Sequence, residues 1–232
     1  FFVTDVNVLL RDHERQAWQN LIRVLSHEIN NSLAPIASLA NTLQTLSTKQ
    51  ALTSTFSQHL SEGLGIITER AQSLKTFINS YRQLTHLPEP KKVEINLQAM
   101  FDKITPLFNQ RNIVVECKPQ FMAHVDPVQF EQVLINLIKN ADEAMNDELS
   151  NILVKVSIDS NSTIIEIIDS GVGIKNTDNL FTPFYTTKKQ GSGIGLALCR
   201  QILFNHNGSI KLNNHQSKQG VEVVLSLPHI EQ

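Results

Sequence analysis

Apolar residues recur at steps of three or four along the first third of the chain. Trp18, Leu21, Leu25, Ile29, Ile36, Leu39, Leu43 and Leu46 fall on one seam, with Ser32 as its polar member. That is the spacing of an amphipathic helix with heptad-like packing. Pro35 lies inside the run, which predicts a kink just after the turn carrying His27 rather than a helix end. Residues 47–54 break the pattern, and Ser54 is placed to cap a second helix. There Phe56, Leu60, Leu64, Ile67, Ala71, Leu74, Phe77, Tyr81 and Leu84 repeat the same steps. Gly63 and Gly65 each weaken this helix by roughly 1 kcal/mol relative to alanine and mark an expected soft point. Two long helices joined by a short loop predict an antiparallel hairpin. A lone hairpin cannot bury both stripes, so pairing two of them into a four-helix bundle, as a dimer, follows.

Leu87, Pro88, Glu89 and Pro90 end the helical pattern, and beyond them strands alternate with helices. Short strands are expected at 93–95, 112–117 and 121–125, and a helix at 97–109. Another helix runs from Pro127 to about Met145, with Pro127 at its first position and Asp126 as its N-cap. Alternating runs at 152–158 and 163–168 precede a Gly/Thr/Lys-rich stretch at 170–192. A helix at 193–205 and strands at 209–212 and 221–227 complete the pattern. Strands clustered with a few helices predict an α/β sandwich with the helices on one face. The expected boundaries are 1–14, a remnant of an upstream region whose residues 1–6 read as a strand; 15–87, the hairpin; 88–92, a linker; and 93–232, the α/β domain.

Composition narrows the field. The 232 residues are 41% hydrophobic and 18% charged, with a formal net charge of −2. That leaves no basic stripe of the kind nucleic-acid binding requires. No apolar run approaches the roughly 18 residues of a membrane span, and no signal peptide is seen, so no membrane contact by this fragment is expected. The chain opens on Phe1 and is expected to be a piece of a longer protein. Cys117 and Cys199 show no metal spacing and are expected to be packed, reduced thiols of a cytoplasmic protein.

Five stretches carry candidate chemistry. In the first helix, His27, Glu28 and Asn31 interrupt the apolar stripe, and Asn31 lies one turn beyond His27 on the same side. A neutral imidazole is a competent nucleophile near pH 7. In the helix from Pro127, Asn136 and Asn140 are one turn apart among Val133, Leu134, Leu137 and Ile138. Two such amides need partners. Either Mg²⁺ carrying phosphate oxygens or a neighbouring strand would supply them. Asp169-Ser170-Gly171-Val172-Gly173 follows an apolar strand; its glycines admit close backbone approach, and Asp169 can accept from an exocyclic amine. Phe181 to Lys188 is an aromatic hinge with a lysine beyond it, either a pinned loop or a mobile lid. Gly191-Ser192-Gly193-Ile194-Gly195-Leu196 opens a helix, where backbone N–H groups and the helix dipole favour anions. No strand precedes it directly, which excludes a dinucleotide-binding turn.

In this order the stretches resemble the H, N, G1, F and G2 boxes of the sensor histidine kinases of two-component systems. The resemblance covers about residues 15–227, and the stretch from His27 to Ile36 is most similar to the nitrogen-regulation type. Many relatives carry proline five residues after the histidine, where this chain has Ser32.

The resemblance implies a helical hairpin followed by an ATP-binding α/β sandwich of the histidine kinase/gyrase type. ATP would sit with its adenine amine on Asp169, beside Gly171 and Gly173, and Asn140 and Asn136 would hold Mg²⁺. Lys139, Phe181, Thr187, Lys188, Gly191, Ser192, Gly193, Gly195 and Leu196 would complete the nucleotide site. His27 would attack the γ-phosphoryl group, with Glu28 taking its proton. The phosphoryl group would then pass to an aspartate on a response regulator receiver domain. Asn31 would place water for dephosphorylation of that regulator. A homodimer through the hairpin and an upstream sensor domain in the full-length chain are implied as well.

A hydrolysing ATPase, similar to gyrase, mismatch-repair proteins and heat-shock chaperones, is the rival reading. Those carry a glutamate where this chain has Asn136, and an amide cannot act as a general base. A non-catalytic dimerisation module is the third, and it would require some of His27, Asn140, Asp169 or the late glycines to be missing. Among the remaining residues, Trp18 is expected to pack in the upper bundle or against a lost signalling helix. His206 is expected to favour a helix C-terminal dipole. His124 and His215 show no metal pattern.

Overall fold

The computed structural model describes residues 26, 29–47, 54–145, 150–159, 161–177, 179–188, 191–215 and 219–228. The expected strand at 1–6, Trp18, His27 and Glu28 lie outside them. The chain divides into two units, Phe1–Arg82 and Gln83–Gln232.

In the first unit, α1 occupies residues 29–47 and passes through Pro35 without a break in the helix. The second helix, α2, is Ser54–Thr85. Ile29, Ile36, Leu39, Leu43 and Leu46 on α1 are half-buried, as are Leu60, Ile67, Leu74, Phe77 and Tyr81 on α2. Two members of the expected α2 seam behave otherwise. Leu64 is 50% exposed and Ala71 is exposed too, while Gly63, outside that seam, is the buried position. A Cβ on Gly63 would stand 3.0 Å from Leu43 Cδ1. This glycine is therefore where a partner side chain seats, not a soft point, and only Gly65 faces open space. Hydroxyls at Thr42, Thr45, Thr68 and Ser73 bond back to carbonyls one turn earlier, so these residues sit in helix without leaving a donor idle.

The second unit contains β1 (Val93–Asn96), α3 (Leu97–Ile104), a 3-10 turn (Thr105–Phe108), β2 (Asn112–Glu116), β3 (Met122–Val125) and α4 (Pro127–Ala144). They are followed by β4 (Asn151–Asp159), β5 (Ser162–Ile168), α5 (Gly195–Asn205), β6 (Ser209–Asn214) and β7 (Val221–Pro228). Five strands form one sheet in the order β2-β4-β5-β7-β6, while β1 and β3 pair separately. Only β2 and β4 run parallel; the other pairs are antiparallel.

Alternation along the strands sends Ile152 and Val154, Ile165 and Ile167, and Val223 and Leu225 to one buried face. Leu97, Phe101, Phe130, Leu134, Leu137, Ile138, Ile202 and Leu203 close over it from α3, α4 and α5. This is the expected α/β sandwich. The opposite face carries Leu153, Ile164, Ile168 and Val224, each half-buried.

Local chemistry explains where boundaries moved. The helix expected over 97–109 tightens at Thr105 into a 3-10 turn, because Pro106 has no N–H to give an α-helical bond. Asn96 caps α3 by accepting from Ala99 N at 2.9 Å. Asp126 caps α4 through Val128 N at 3.0 Å and Gln129 N at 3.1 Å. The last helix starts at Gly195 rather than Gly193, whose φ of 67° is left-handed. No helix among the described residues is long and apolar enough to cross a membrane.

Candidate functional site

In the first helix the candidate residues are only partly visible. Asn31 is exposed on α1; His27 and Glu28 lie outside the described residues.

In the second unit four of the sequence stretches converge on α4. Its core face is Val133, Leu134, Leu137, Ile138 and Ala141, all buried, while Asn136 and Asn140 sit half-buried on the flank and Lys139 is exposed. Asn136 looks toward α5. An ideal Cβ on Gly195 would lie 3.9 Å from Asn136 Oδ1. The same amide hydrogen-bonds Cys199, whose thiol burial pushes up to about 12. Cys199 is thus a neutral packing residue that backs the asparagine, and it and Cys117 are both free thiols.

Asn140 has a different neighbour. Its Oδ1 accepts from Lys188 Nζ at 3.0 Å, across 48 residues of sequence. The same ammonium reaches Glu143 Oε2 at 2.5 Å, and Lys139 Nζ stands 3.8 Å from Glu143 Oε1. The sequence alone does not mark Glu143 as part of the site. It lies one turn beyond Lys139 on α4, but its second cation comes from far along the chain, and no local pattern shows that.

Asp169 follows the last residue of β5 and is 7% exposed. Its Oδ1 accepts from Gly171 N at 2.8 Å and Val221 N at 3.1 Å. Among the described residues Oδ2 takes no hydrogen bond. Burial pushes the carboxyl above the usual range, and the two backbone donors work against that. Gly171 fits against the end of α4, where a Cβ would stand 2.7 Å from Ala144 O. The turn at Gly173 is pinned by Asn214, which accepts from Ile174 N at 2.7 Å and donates to Ile174 O at 2.9 Å. Asn214 also escaped the sequence reading, being 40 residues from the turn it holds. Asp169 and Ser170 also line a cleft of about 400 Å³ with Leu153, Lys155, Ile168 and His215. That lining includes none of Asn136, Asn140 or Lys188.

The aromatic stretch is anchored rather than free-standing. Phe181 and Phe184 pack on the core, and the Arg200 guanidinium lies 5.4 Å from the Phe181 ring centroid, within cation–π range. Phe184 N donates to Gly193 O at 2.8 Å. Gly193 must be glycine here, since a Cβ would sit 2.5 Å from the Phe184 carbonyl carbon. Lys188 N donates to Thr186 Oγ1 at 3.1 Å; Thr187 and Ser192 are exposed, Gly191 is half-buried, and Leu196 packs against the core. Ile194 gives no side-chain cap to α5, which leaves first-turn N–H groups for an anion.

These residues fit a magnesium nucleotide. Asn140 Oδ1 already accepts from a cation, in the form of the Lys188 ammonium. Among the described residues no group of three His, Cys, Asp or Glu side chains could hold a metal, so an ion here would rely on amide and phosphate oxygens, as Mg²⁺ does.

His206 corrects its expected role. It is 3% exposed, and its Nε2 accepts from Asp126 N at 2.9 Å. The ring proton must therefore be on Nδ1, which donates to Ile202 O at 2.7 Å. The ring is neutral, and burial lowers its pKa, so it is no cation for the helix dipole. Together with Asp126, which also accepts from Lys91 N at 2.8 Å, it joins the end of α5 to the start of α4. Gln129 Nε2 adds a bond to Pro88 O at 2.8 Å.

Residues 125–231 match the family described as histidine kinase-, DNA gyrase B-, and HSP90-like ATPase. The nitrogen regulation protein NtrY of Azorhizobium caulinodans is 25% identical over 96% of this chain and 30% of the relative. The sensory histidine kinase/phosphatase NtrB of Vibrio alginolyticus is 28% identical over 87% of this chain and 60% of the relative. The chain therefore spans 30% to 60% of the length of these relatives. Among solved structures, the catalytic domain of histidine kinase ThkA superposes with a TM-score of 0.54 at 29% identity, covering 60% of this chain and 95% of that domain.

Proposed function

From the premise that residues 125–231 carry an ATPase-family nucleotide domain within the catalytic core of a two-component sensor histidine kinase, we propose that this chain phosphorylates itself on His27. The phosphoryl group then passes to an aspartate of a response regulator. The observation that carries the reading is the meeting of Asn140 and Glu143 of α4 with Lys188, on the helix whose Asn136 stands near Gly195 at the uncapped start of α5. An amide oxygen and an ammonium lie together there, which supports a reading in which Asn140 is a metal ligand and Lys188 binds phosphate.

Each residue has a part. Asp169 Oδ2 receives the adenine amine. Asn140, with Asn136 beside it, would hold Mg²⁺, which would supply positive charge to offset that of the phosphate tail. Lys188 and the α5 N–H groups take the phosphate tail. Lys139, Phe181, Thr187, Gly191 and Ser192 frame that tail, and Gly173 lets the backbone pass the adenine ring. An imidazole nitrogen of His27 forms the N–P bond as the bond from Pγ to the ADP oxygen breaks, and Glu28 takes the imidazole proton. Positioning and charge neutralisation supply most of the acceleration. Asn136 cannot serve as a base for water, which favours transfer over hydrolysis.

The half-buried stripes on α1 and α2 support a homodimer through a four-helix bundle, on the cytoplasmic side of any membrane anchor. Asn31 is proposed to place water for dephosphorylating the regulator, a role in keeping with the kinase/phosphatase designation of the Vibrio relative. The domain boundaries at 15–87, 88–92 and 93–232 belong to the same proposal.

The test follows γ-labelled ATP in the presence of Mg²⁺. Label that accumulates on the protein, is lost in acid and persists in base supports the kinase. Steady release of free phosphate without protein label supports the ATPase instead. For Asn31, the Asn31→Ala variant should keep autophosphorylation and lose regulator dephosphorylation.

A further inference from the structure

Lys188 cannot do everything asked of it from the position it occupies. Its ammonium is shared between Asn140 Oδ1 at 3.0 Å and Glu143 Oε2 at 2.5 Å. A Mg²⁺ ion on Asn140 Oδ1 would face that ammonium across a single oxygen atom, and like charges so close repel strongly. A phosphate tail would in turn compete with Glu143 for the same ammonium. Glu143 has another suitor as well, Lys139 Nζ, 3.8 Å from its second oxygen.

Resting on the magnesium-nucleotide reading of this site, we propose that Glu143 is a positioning residue that sets the threshold for nucleotide loading. Its carboxylate holds Lys188 on the Asn140 oxygen. Loading is then an exchange: Lys188 leaves the carboxylate for phosphate, and Asn140 trades an ammonium for the metal. Neither the lysine nor the asparagine needs to change for the threshold to move; the charge on Glu143 sets it.

Glu143 and Lys188 are each 40% exposed at the side chain, so Glu143→Gln is expected to fold normally, which circular dichroism and Tm verify. The probe is a fluorescent N-methylanthraniloyl ADP with Mg²⁺, read as equilibrium binding. Releasing a partly exposed ion pair should tighten binding in Glu143→Gln by about two- to fivefold. In a Lys188→Met background, binding is weak and Glu143→Gln should no longer alter it. Tightening that persists without Lys188 would mean Glu143 simply repels phosphate, and would overturn the proposal. Unchanged or weaker binding in Glu143→Gln alone would also overturn it. If the wild-type chain fails to bind the probe, the magnesium-nucleotide reading itself falls, an outcome distinct from the other two.

Discussion

The hairpin and the α/β unit treat burial differently. In the α/β unit Leu97, Phe101, Phe130 and Leu134 are 0% exposed, and buried polar groups at Asp126, Asp169 and His206 are hydrogen-bonded within the unit. In the hairpin the described apolar seam residues are half-buried or, at Leu64 and Ala71, exposed, and the buried positions among those described are Gly63 and Ser32. One unit has a closed core and can hold a charged site rigidly. The other has an apolar stripe still half open to solvent, as a segment that binds a second copy would. Stability and ligand binding should therefore track the α/β unit, while concentration dependence should track the hairpin.

Breaking the closed core is the largest expected effect. Phe130→Ala should cost about 3–5 kcal/mol, read by urea denaturation, and nucleotide binding should fall with it. Leu43→Ala should cost less and in a concentration-dependent way. Next comes the site. Asn140→Ala should weaken magnesium-nucleotide binding on the order of a hundredfold with Tm nearly unchanged, which calorimetric titration and a thermal melt measure together.

In the hairpin, Gly63→Val should cost about 1–3 kcal/mol by overpacking against Leu43, lowering helix content at dilute concentrations. A Val at neighbouring Gly65 should be tolerated, because nothing stands within 4 Å of it.

The smallest effect is in pH. His206 is neutral with its pKa pushed down by burial, so protonation favours the unfolded chain and stability falls as pH drops below the ordinary histidine range of about 6.5. Burial also works to raise the Asp126 carboxyl, but donors at Gln129, Lys91 and Val128 outweigh it and hold it low. Its contribution is full above the ordinary aspartate range and disappears as pH falls through the lowered value. Acid unfolding should therefore steepen in two stages. His206→Gln should remove the first, and Asp126→Ala should lower stability at neutral pH by about 0.5–2 kcal/mol through loss of the cap.

What the sequence made legible follows from the range of the forces involved. The Asp126 cap and the alternating strands are local patterns, and they appear within one or two residues of expectation; the described seam of α1 is half-buried as expected, whereas Leu64 and Ala71 leave the seam of α2 and α3 stops at Ile104. Glycine turns are legible because an anion-binding helix start and a close backbone approach both need a missing side chain nearby. Non-local pairings are not legible. Gly63 reads as a weakness until Leu43 is seen to occupy its missing Cβ. His206 reads as a group favouring the helix dipole until its bond to Asp126 N, 80 residues away, fixes it as neutral. Glu143 hides inside a recognised stretch because its partner Lys188 arrives 45 residues later. Arg200, likewise, shows its role only once α5 stacks it on Phe181.

The most direct measurement locates the phosphoryl group. The wild-type chain, incubated with Mg²⁺ and ATP and digested under alkaline conditions, would be mapped by mass spectrometry alongside His27→Gln. One phosphorylated peptide is expected, the one containing His27, and no phosphopeptide in the variant despite unchanged nucleotide binding. Phosphate elsewhere in the chain, or ATP consumed at the same rate by both proteins with no phosphate retained, would contradict phosphoryl transfer to His27.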